Sequence, residues 1–250
     1  MAFGNGPSIV TNGLVLSLDA ADRNSYPGSG TTWFDLSGNG NNFTLFNGVG
    51  YSTANGGSLT FDGTNDYAAS TNNLNLTSFS YVAVEIFYRS NTSTPGVMLF
   101  EHTANWNTQT GGFGMSINSN GVADLANSNH TNHRTGSASG TNLPRNYLVT
   151  SNTTWSDNLN LFSAISDSTG RLSYENSSLD AFVAGTPGYS TTTVTTAGGL
   201  FANDIFYLGS RGGVQDFLNG SIGSLKIYGF KISAPQVFQN YNALKSRFGL

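Results

Sequence analysis

The residues able to do chemistry are few: 14 Asp and Glu, three histidines (His102, His130, His133) and no cysteine. Glycoside hydrolysis needs two carboxyl groups roughly 5–10 Å apart across the scissile bond. The glutamates are Glu85, Glu101 and Glu175, and none has a second carboxyl beside it on its own predicted strand. Acyl transfer needs a nucleophile, a base and an orienting group within reach of one another, and the chain has no G-x-S-x-G elbow. Zinc would have to be held without cysteine, by His130, His133 and a third ligand such as Asp124 or Glu101. These counts point away from an enzyme. A glycoside hydrolase is the third reading, behind two binding or structural ones.

Hard oxygen donors, by contrast, are abundant. The turn FDGTND carries Asp62, Asn65 and Asp66, the candidate calcium ligands, and calcium is the cofactor weighed here; no other is implied. The same residues read equally as turn chemistry, with Asp62 and Gly63 forming the turn and Asp66 accepting from backbone amides. A sugar site needs an aromatic platform with amide donors and acceptors beside it. Trp106 stands between Asn105 and Asn107, and Tyr189 lies in a second polar stretch, so these four are the candidate glycan-binding residues. Trp33 and Trp155 read as packing residues.

Composition narrows the partners. Only 10% of the 250 residues are charged, and Asn, Ser, Thr and Gly make up nearly half the chain. Hydrophobics at 38% and aromatics at 12% still suffice for a core, unlike a disordered chain. A net charge of −4, with all three lysines (Lys226, Lys231, Lys245) near the C-terminal end, leaves no basic patch to neutralise phosphates, so no nucleic acid is expected. No apolar run approaches the ~18 residues of a membrane span, and MAFGNGPSIV lacks the n- and h-regions of a secretory signal. The expectation is a protein that folds without oxidative help and that, if it ends outside a cell, does not leave by the signal-peptide route, with no membrane insertion.

The elements that must hold these residues follow a period of two. In FSYVAVEIFY (79–88), Val82, Val84, Ile86 and Tyr88 share one face while Phe79, Tyr81, Ala83, Glu85 and Phe87 share the other. Leu14, Leu16 and Leu18 share a face in LVLSL (14–18). Further strands are expected near 57–61, 97–101, 112–117, 146–150, 159–166, 171–174, 205–209 and 221–230, separated by Gly- and Asn-rich turns. Residues 118–145 and 176–199 read as polar rim loops. Near the C-terminus, Ser233 with Gln236 forms a capping box and Pro235 fits the first turn. Val237, Phe238, Tyr241 and Leu244 then form one apolar stripe expected to dock on the sandwich. The reading is an all-β fold: a two-sheet antiparallel sandwich over residues 13–250, with a single short helix and an N-terminal arm over 1–12.

Three blocks of sequence resemble a known family. WFDLSGNGNNFTL (33–45), GSLTFDGTNDY (57–67) and LGSRGGVQDFLNGSIGSLKIYGFKIS (208–233) are similar, in order and spacing, to turns and closing strands of laminin-G-like, concanavalin A-like jelly-roll domains. That resemblance implies a jelly-roll sandwich. The family includes β-glucanases, but their E-x-D-x-x-E strand is absent here, and it includes domains that hold calcium at the rim. GFKIS stands where N-R-A-L-S is usual, which removes an Arg near the helix start. Residues 9–35 and 239–249 further resemble a branch found among structural proteins of tailed bacteriophages. The resemblance implies a non-enzymatic virion protein, a capsid decoration or head fibre, or a tail-surface component. Its partners would be capsid or tail proteins and further copies of itself, in a homo-oligomer, with host-surface polysaccharide as a possible ligand. The alternative is a lectin-like carbohydrate-binding module. In the arm, Phe3 and Ile9 are the candidate assembly anchors. With Val10 they are too thin an apolar set to order 12 residues on their own domain, since each residue fixed costs about 1–2 kcal/mol of backbone entropy.

Overall fold

Apolar alternation resolves into eighteen strands in a computed structural model that describes residues 8–91, 97–105, 111–119, 128–133, 146–149, 155–164, 172–175, 178–179 and 200–250. The first nine are β1 (Leu14–Asp19), β2 (Thr32–Trp33), β3 (Phe43–Phe46), β4 (Gly50–Ser52), β5 (Ser58–Asp62), β6 (Tyr67–Ser70), β7 (Leu74–Asn75), β8 (Tyr81–Ser90) and β9 (Val97–His102). The second nine are β10 (Phe113–Ser119), β11 (Ser128–His133), β12 (Asn146–Val149), β13 (Ser156–Ser163), β14 (Leu172–Glu175), β15 (Ser178–Leu179), β16 (Asn203–Asp204), β17 (Phe206–Leu208) and β18 (Asn219–Tyr228). One helix, α1 (Ala234–Phe248), follows. The first sheet runs β15-β14-β13-β8-β18-β5-β4, with β1 also pairing β18. The second runs β12-β11-β10-β9-β17-β6-β3-β2, and β16 with β7 makes a short third. The chain is an all-β sandwich of antiparallel sheets with one C-terminal helix, as its alternation predicts. Residues 118–145 are not all the loop expected there, because β11 lies among them and pairs with β10 before it and β12 after it.

Strand β8 shows why the layers assemble. Val82, Val84, Ile86 and Tyr88 are fully buried in the core between the sheets, with Leu16, Phe100, Phe113 and Leu225. Its other face is covered as well: Ala83 packs with Tyr228, Ile232 and Val237, and Phe87 packs with Trp155 and Phe248. The first sheet is thus buried on both faces, which is why its central strands are nearly continuous in apolar residues. Trp33 and Trp155 are both buried, as expected. Leu14 departs from its expected face. The register of β1 slips between Leu14 and Leu16, and that bulge turns Leu14 to the helix side while Leu16 and Leu18 stay in the main core.

The SGNGNN turn is built by one carboxylate. Asp35 Oδ1 accepts from the amides of Ser17 (2.9 Å) and Ser37 (2.8 Å). Its Oδ2 accepts from the Ser37 hydroxyl (2.7 Å) and the Asn41 amide (3.0 Å). Gly38 and Gly40 take the positive φ values, 88° and 74°, that let the chain wrap around it. Four donors on one side chain explain the motif as a fold device, tying the turn to β1.

Helix α1 starts and stops as its sequence dictates. Gln236 Oε1 accepts from the Ser233 amide (2.9 Å) and hydroxyl (2.8 Å), and Gly249 closes the last turn at φ 74°. The docking stripe differs from the expected one. Val237 is buried and Tyr241 and Leu244 are half-buried, but Phe238 is 56% exposed, while Asn240 and Phe248 are buried instead. The contact line runs 237, 240/241, 244, 248 along one side, and a residue next to Val237 sits about 100° around the helix from it.

Two polar clamps hold α1 to the first sheet. Arg247 uses all five of its N–H donors: Nη1 to both oxygens of Asp19 (2.6 and 2.9 Å), Nε to Asn55 O (2.8 Å), and Nη2 to Gly57 O (3.0 Å) and Gly223 O (3.2 Å). At the other end Asn240 is fully buried. Its Nδ2 donates to Glu85 Oε2 (3.1 Å) and to the Tyr228 hydroxyl (2.9 Å), and its Oδ1 accepts from the Val10 amide (2.7 Å). Tyr228 in turn donates to the Val10 carbonyl (3.1 Å), and Gln239 donates to the Ser8 carbonyl (2.7 Å). Residues 8–10 are therefore held by polar bonds from their own chain, where a count of apolar anchors alone predicts no such hold. Ile9 is half-buried there, and Phe3 lies outside the described residues.

Candidate functional site

Strands β9 and β17 run side by side in the second sheet, and their register sets Glu101 opposite Tyr207. Phe100, His102 and Phe206 point into the core, so Glu101 and Tyr207 fall on the outer face. Past the strand ends the chain closes a cleft of about 330 Å³ lined by Glu101, Thr103, Asn105, Tyr207, Arg211 and Gln215. Its rim is the tight turn after β17. There Arg211 donates its amide to Gln215 O (2.8 Å), Gly213 donates to the Ser210 hydroxyl (3.1 Å), and Met98 donates to Asp216 O (2.9 Å). Gly213, at φ 74°, cannot gain a side chain, since a Cβ would stand 2.9 Å from the Tyr67 ring. The opposite rim is an ST turn in which the Asn105 amide donates to the Thr103 hydroxyl (3.0 Å).

The cleft is polar and amphoteric. It holds a carboxylate, a guanidinium, two carboxamides and a phenol, with Val214 exposed beside them. Burial pushes the Tyr207 phenol up from its ordinary value, with the neighbouring Tyr67, Glu101 and Asp204 adding to the effect, so it stays protonated and can donate. From Tyr207 an aromatic row continues across the face: Tyr67 lies 6.4 Å away at 44°, and Phe46 stacks on Tyr67 at 4.5 Å and 10°. Glu101 is the only carboxylate among the described lining residues, where glycoside hydrolysis takes a pair. Glu85 is placed far from such work, buried under α1 against Lys226 Nζ at 3.1 Å, with burial holding its carboxyl above the ordinary range. The arrangement is able to bind a hydroxyl-rich ligand through an aromatic face and charged or amide hydrogen-bonding groups.

Of the sequence-predicted glycan residues, Asn105 lies exposed on this rim, while Trp106, Asn107 and Tyr189 lie outside the described residues. Tyr207, Arg211 and Gln215 were not anticipated. Only the pairing of β17 with β9, about a hundred residues apart, brings them to Glu101. The predicted calcium ligands do share one turn. Asp62 Oδ1 accepts from the amides of Thr64 (2.7 Å) and Asn65 (3.3 Å), Asp66 Oδ2 accepts from the Asp62 amide (3.1 Å), and Asn65 O accepts from Asn47 (2.8 Å). Backbone bonds lower the Asp62 carboxyl, and burial, then the Asp62 charge, raises that of Asp66. Calcium takes six to eight oxygens, and no third acidic or imidazole ligand joins these two carboxylates among the described residues. The turn accounts for their bonds without an ion. His102 is a core residue. Its Nε2 lies 3.0 Å from Leu74 O, and burial lowers its imidazole below the ordinary value.

No protein-family model matches the sequence, and no curated protein matches it. Solved structures do share its fold. One is domain 4 of AbnA, a GH43 extracellular arabinanase from Geobacillus stearothermophilus, in complex with arabinotriose. It has 17% identity and a TM-score of 0.60, over 91% of this chain and 98% of that one. Another is the binding domain of Botulinum neurotoxin DC, seen in complex with rat synaptotagmin II (11% identity, TM-score 0.65) and with SialylT (13% identity, TM-score 0.64). The match covers 94% of this chain, which spans about half the length of that binding domain (52%). At such identities the likeness is one of fold.

Proposed function

We propose that the protein is a non-enzymatic carbohydrate-binding module whose binding face is the outer side of the second sheet. The observation that carries the reading is the cleft in which Tyr207 and the amide and charged groups of Asn105, Gln215, Glu101 and Arg211 converge. A sugar presents an apolar C–H face to an aromatic ring and paired hydroxyls to amides and carboxylates, and this lining offers both. The fold likeness to domain 4 of a GH43 arabinanase, seen in complex with arabinotriose, and to a neurotoxin binding domain supports a binding role over a catalytic one. The lone carboxylate in the described lining points the same way. The test is calorimetric titration with arabinotriose and with the hits of a glycan array, on the full chain and on Tyr207→Ala. Binding in the micromolar to millimolar range, weakened about tenfold or more by Tyr207→Ala, is expected, a loss of about 1.4 kcal/mol. No array hit, or hits that bind Tyr207→Ala unchanged, overturns the reading.

The sequence resemblance of residues 9–35 and 239–249 to bacteriophage structural proteins supports a further proposal about address. The module is displayed on a virion surface, as a homo-oligomer seated on capsid or tail proteins after folding in the host cytoplasm, and presents its cleft outward to host polysaccharide. Mass spectrometry of purified virions tests it, and absence of the chain from particles refutes it.

A further inference from the structure

A second cleft, sharing no lining residue with the first, opens where β1 begins. It also measures about 330 Å³ and is lined by Gly13, Leu14, Val15, Asn39, Asn41, Asn75 and Phe79. Among the described residues, no charged side chain lines it. Three carboxamides do, and among the described residues the fold uses only one end of each. Asn39 Nδ2 donates to Leu14 O (3.0 Å) and Val15 O (3.1 Å), and Asn41 Nδ2 donates to Val15 O (2.9 Å). Each amide is thereby fixed in orientation with its Oδ1 as the remaining acceptor. Asn75 is fixed the opposite way. Its Oδ1 accepts from the Thr77 amide (3.1 Å) and hydroxyl (2.7 Å), which leaves Nδ2 as the remaining donor. Phe79 supplies a ring that is half-buried and backed by Gly229, where any Cβ would lie within 2.7 Å of it.

From this geometry we infer that the second cleft is a site for a neutral, hydroxyl-rich ligand, a non-acidic sugar residue. Two pre-oriented acceptors take the O–H donors of adjacent hydroxyls, the Asn75 amide donates to a ring or hydroxyl oxygen, and Phe79 meets the sugar's C–H face. An acidic sugar finds no cation in this lining to offset the loss of its hydration. The first cleft, with Glu101 and Arg211, carries the charges that this one lacks. The inference rests on its own residues and stands whether or not the first cleft binds sugar.

Nuclear magnetic resonance of the full chain tests it. The probes are maltotriose, cellotriose and arabinotriose, which are neutral, and 3′-sialyllactose, which is acidic. At least one neutral trisaccharide is expected to shift the side-chain amide signals of Asn39, Asn41 and Asn75 and the ring signals of Phe79. The shifts should saturate by about 20 mM, as a millimolar to sub-millimolar site would. They should persist in Tyr207→Ala, which silences the first cleft, and weaken at least tenfold in Asn75→Leu. The wild-type map reads the site directly, so the inference does not depend on that variant folding. Shifts confined to the first cleft, equal shifts with 3′-sialyllactose, or no shift at these four residues up to that concentration overturn it.

Discussion

Replacing Asn240 by Leu keeps the branching of a fully buried side chain, makes it bulkier and removes all of its hydrogen bonds. The Val10 amide loses its acceptor, and a buried N–H without a partner costs about 1–3 kcal/mol. Glu85 keeps Lys226 but loses the Asn240 donor, and a bond to a charged group is worth about 1.5–3 kcal/mol. Tyr228 still donates to Val10 O, so it adds little. The added apolar carbons recover about 1 kcal/mol, and the net loss is about 3 kcal/mol. In a chain of this size that lowers Tm by about 6–12 °C. Scanning calorimetry measures it, and hydrogen exchange should show the Val10 amide losing protection. Deleting residues 2–7 should leave Tm unchanged, whereas deleting residues 2–10 should reproduce most of the Asn240→Leu loss. A Tm for Asn240→Leu within about 2 °C of wild type, with Val10 still protected, would refute the claim that this network fastens the arm.

Arg247→Met strips five donors at once from Asp19 and three backbone carbonyls, so a loss of about 2–4 kcal/mol is expected in denaturant unfolding, with Arg247→Lys recovering only part. His102 is held neutral by burial, below its ordinary value of about 6.5. Its contribution to stability is therefore full above that pH and falls as pH drops, because the unfolded chain takes up the proton first. Its ring resonance should titrate at lower pH than that of a surface histidine. Phe238→Asp, on an exposed position, should move stability by less than about 0.5 kcal/mol in the same unfolding assay.

What sequence reveals here is what local chemistry decides. The two faces of 81–88, the start of α1 at Ser233 and the turns around Asp35 and Asp62 each need only residues near one another in the chain, and each is found as read, whereas Phe79, read onto the face of Tyr81 and Ala83, precedes β8 and packs on the main core instead. The misreadings lie where distant segments decide. Asn240 scores as polar and so falls outside an apolar stripe, yet it is buried because Glu85, Tyr228 and Val10 supply its partners from three separate places. Phe238 scores as apolar and faces solvent because the sheet meets the helix one residue over. The first cleft depends on Tyr207 standing opposite Glu101, and the second on Asn75 reaching the turn at Asn39. Composition had suggested amides near an aromatic residue without saying which aromatic residue.

Strand β18 is the last strand of these 250 residues and also sits in the interior of the first sheet, bonded to β8 along one side and to β5 and β1 along the other. During translation, β1, β5 and β8 leave the ribosome long before the segment that joins them, and for that interval they present open edges with apolar faces. Neither sheet edge nor core can close until residue 228 has emerged, and the Arg247 clamp waits for nineteen residues more. Folding of this sandwich is thereby deferred until β18 has emerged and proceeds through contacts of long sequence separation, the slow regime for β proteins. The scarcity of charge that suits the finished surface leaves the nascent chain with little repulsion to keep neighbours apart while it waits. Ribosome-bound chains ended short of residue 219 should accordingly remain protease-sensitive and recruit chaperones, however long their amino-terminal strands have been exposed.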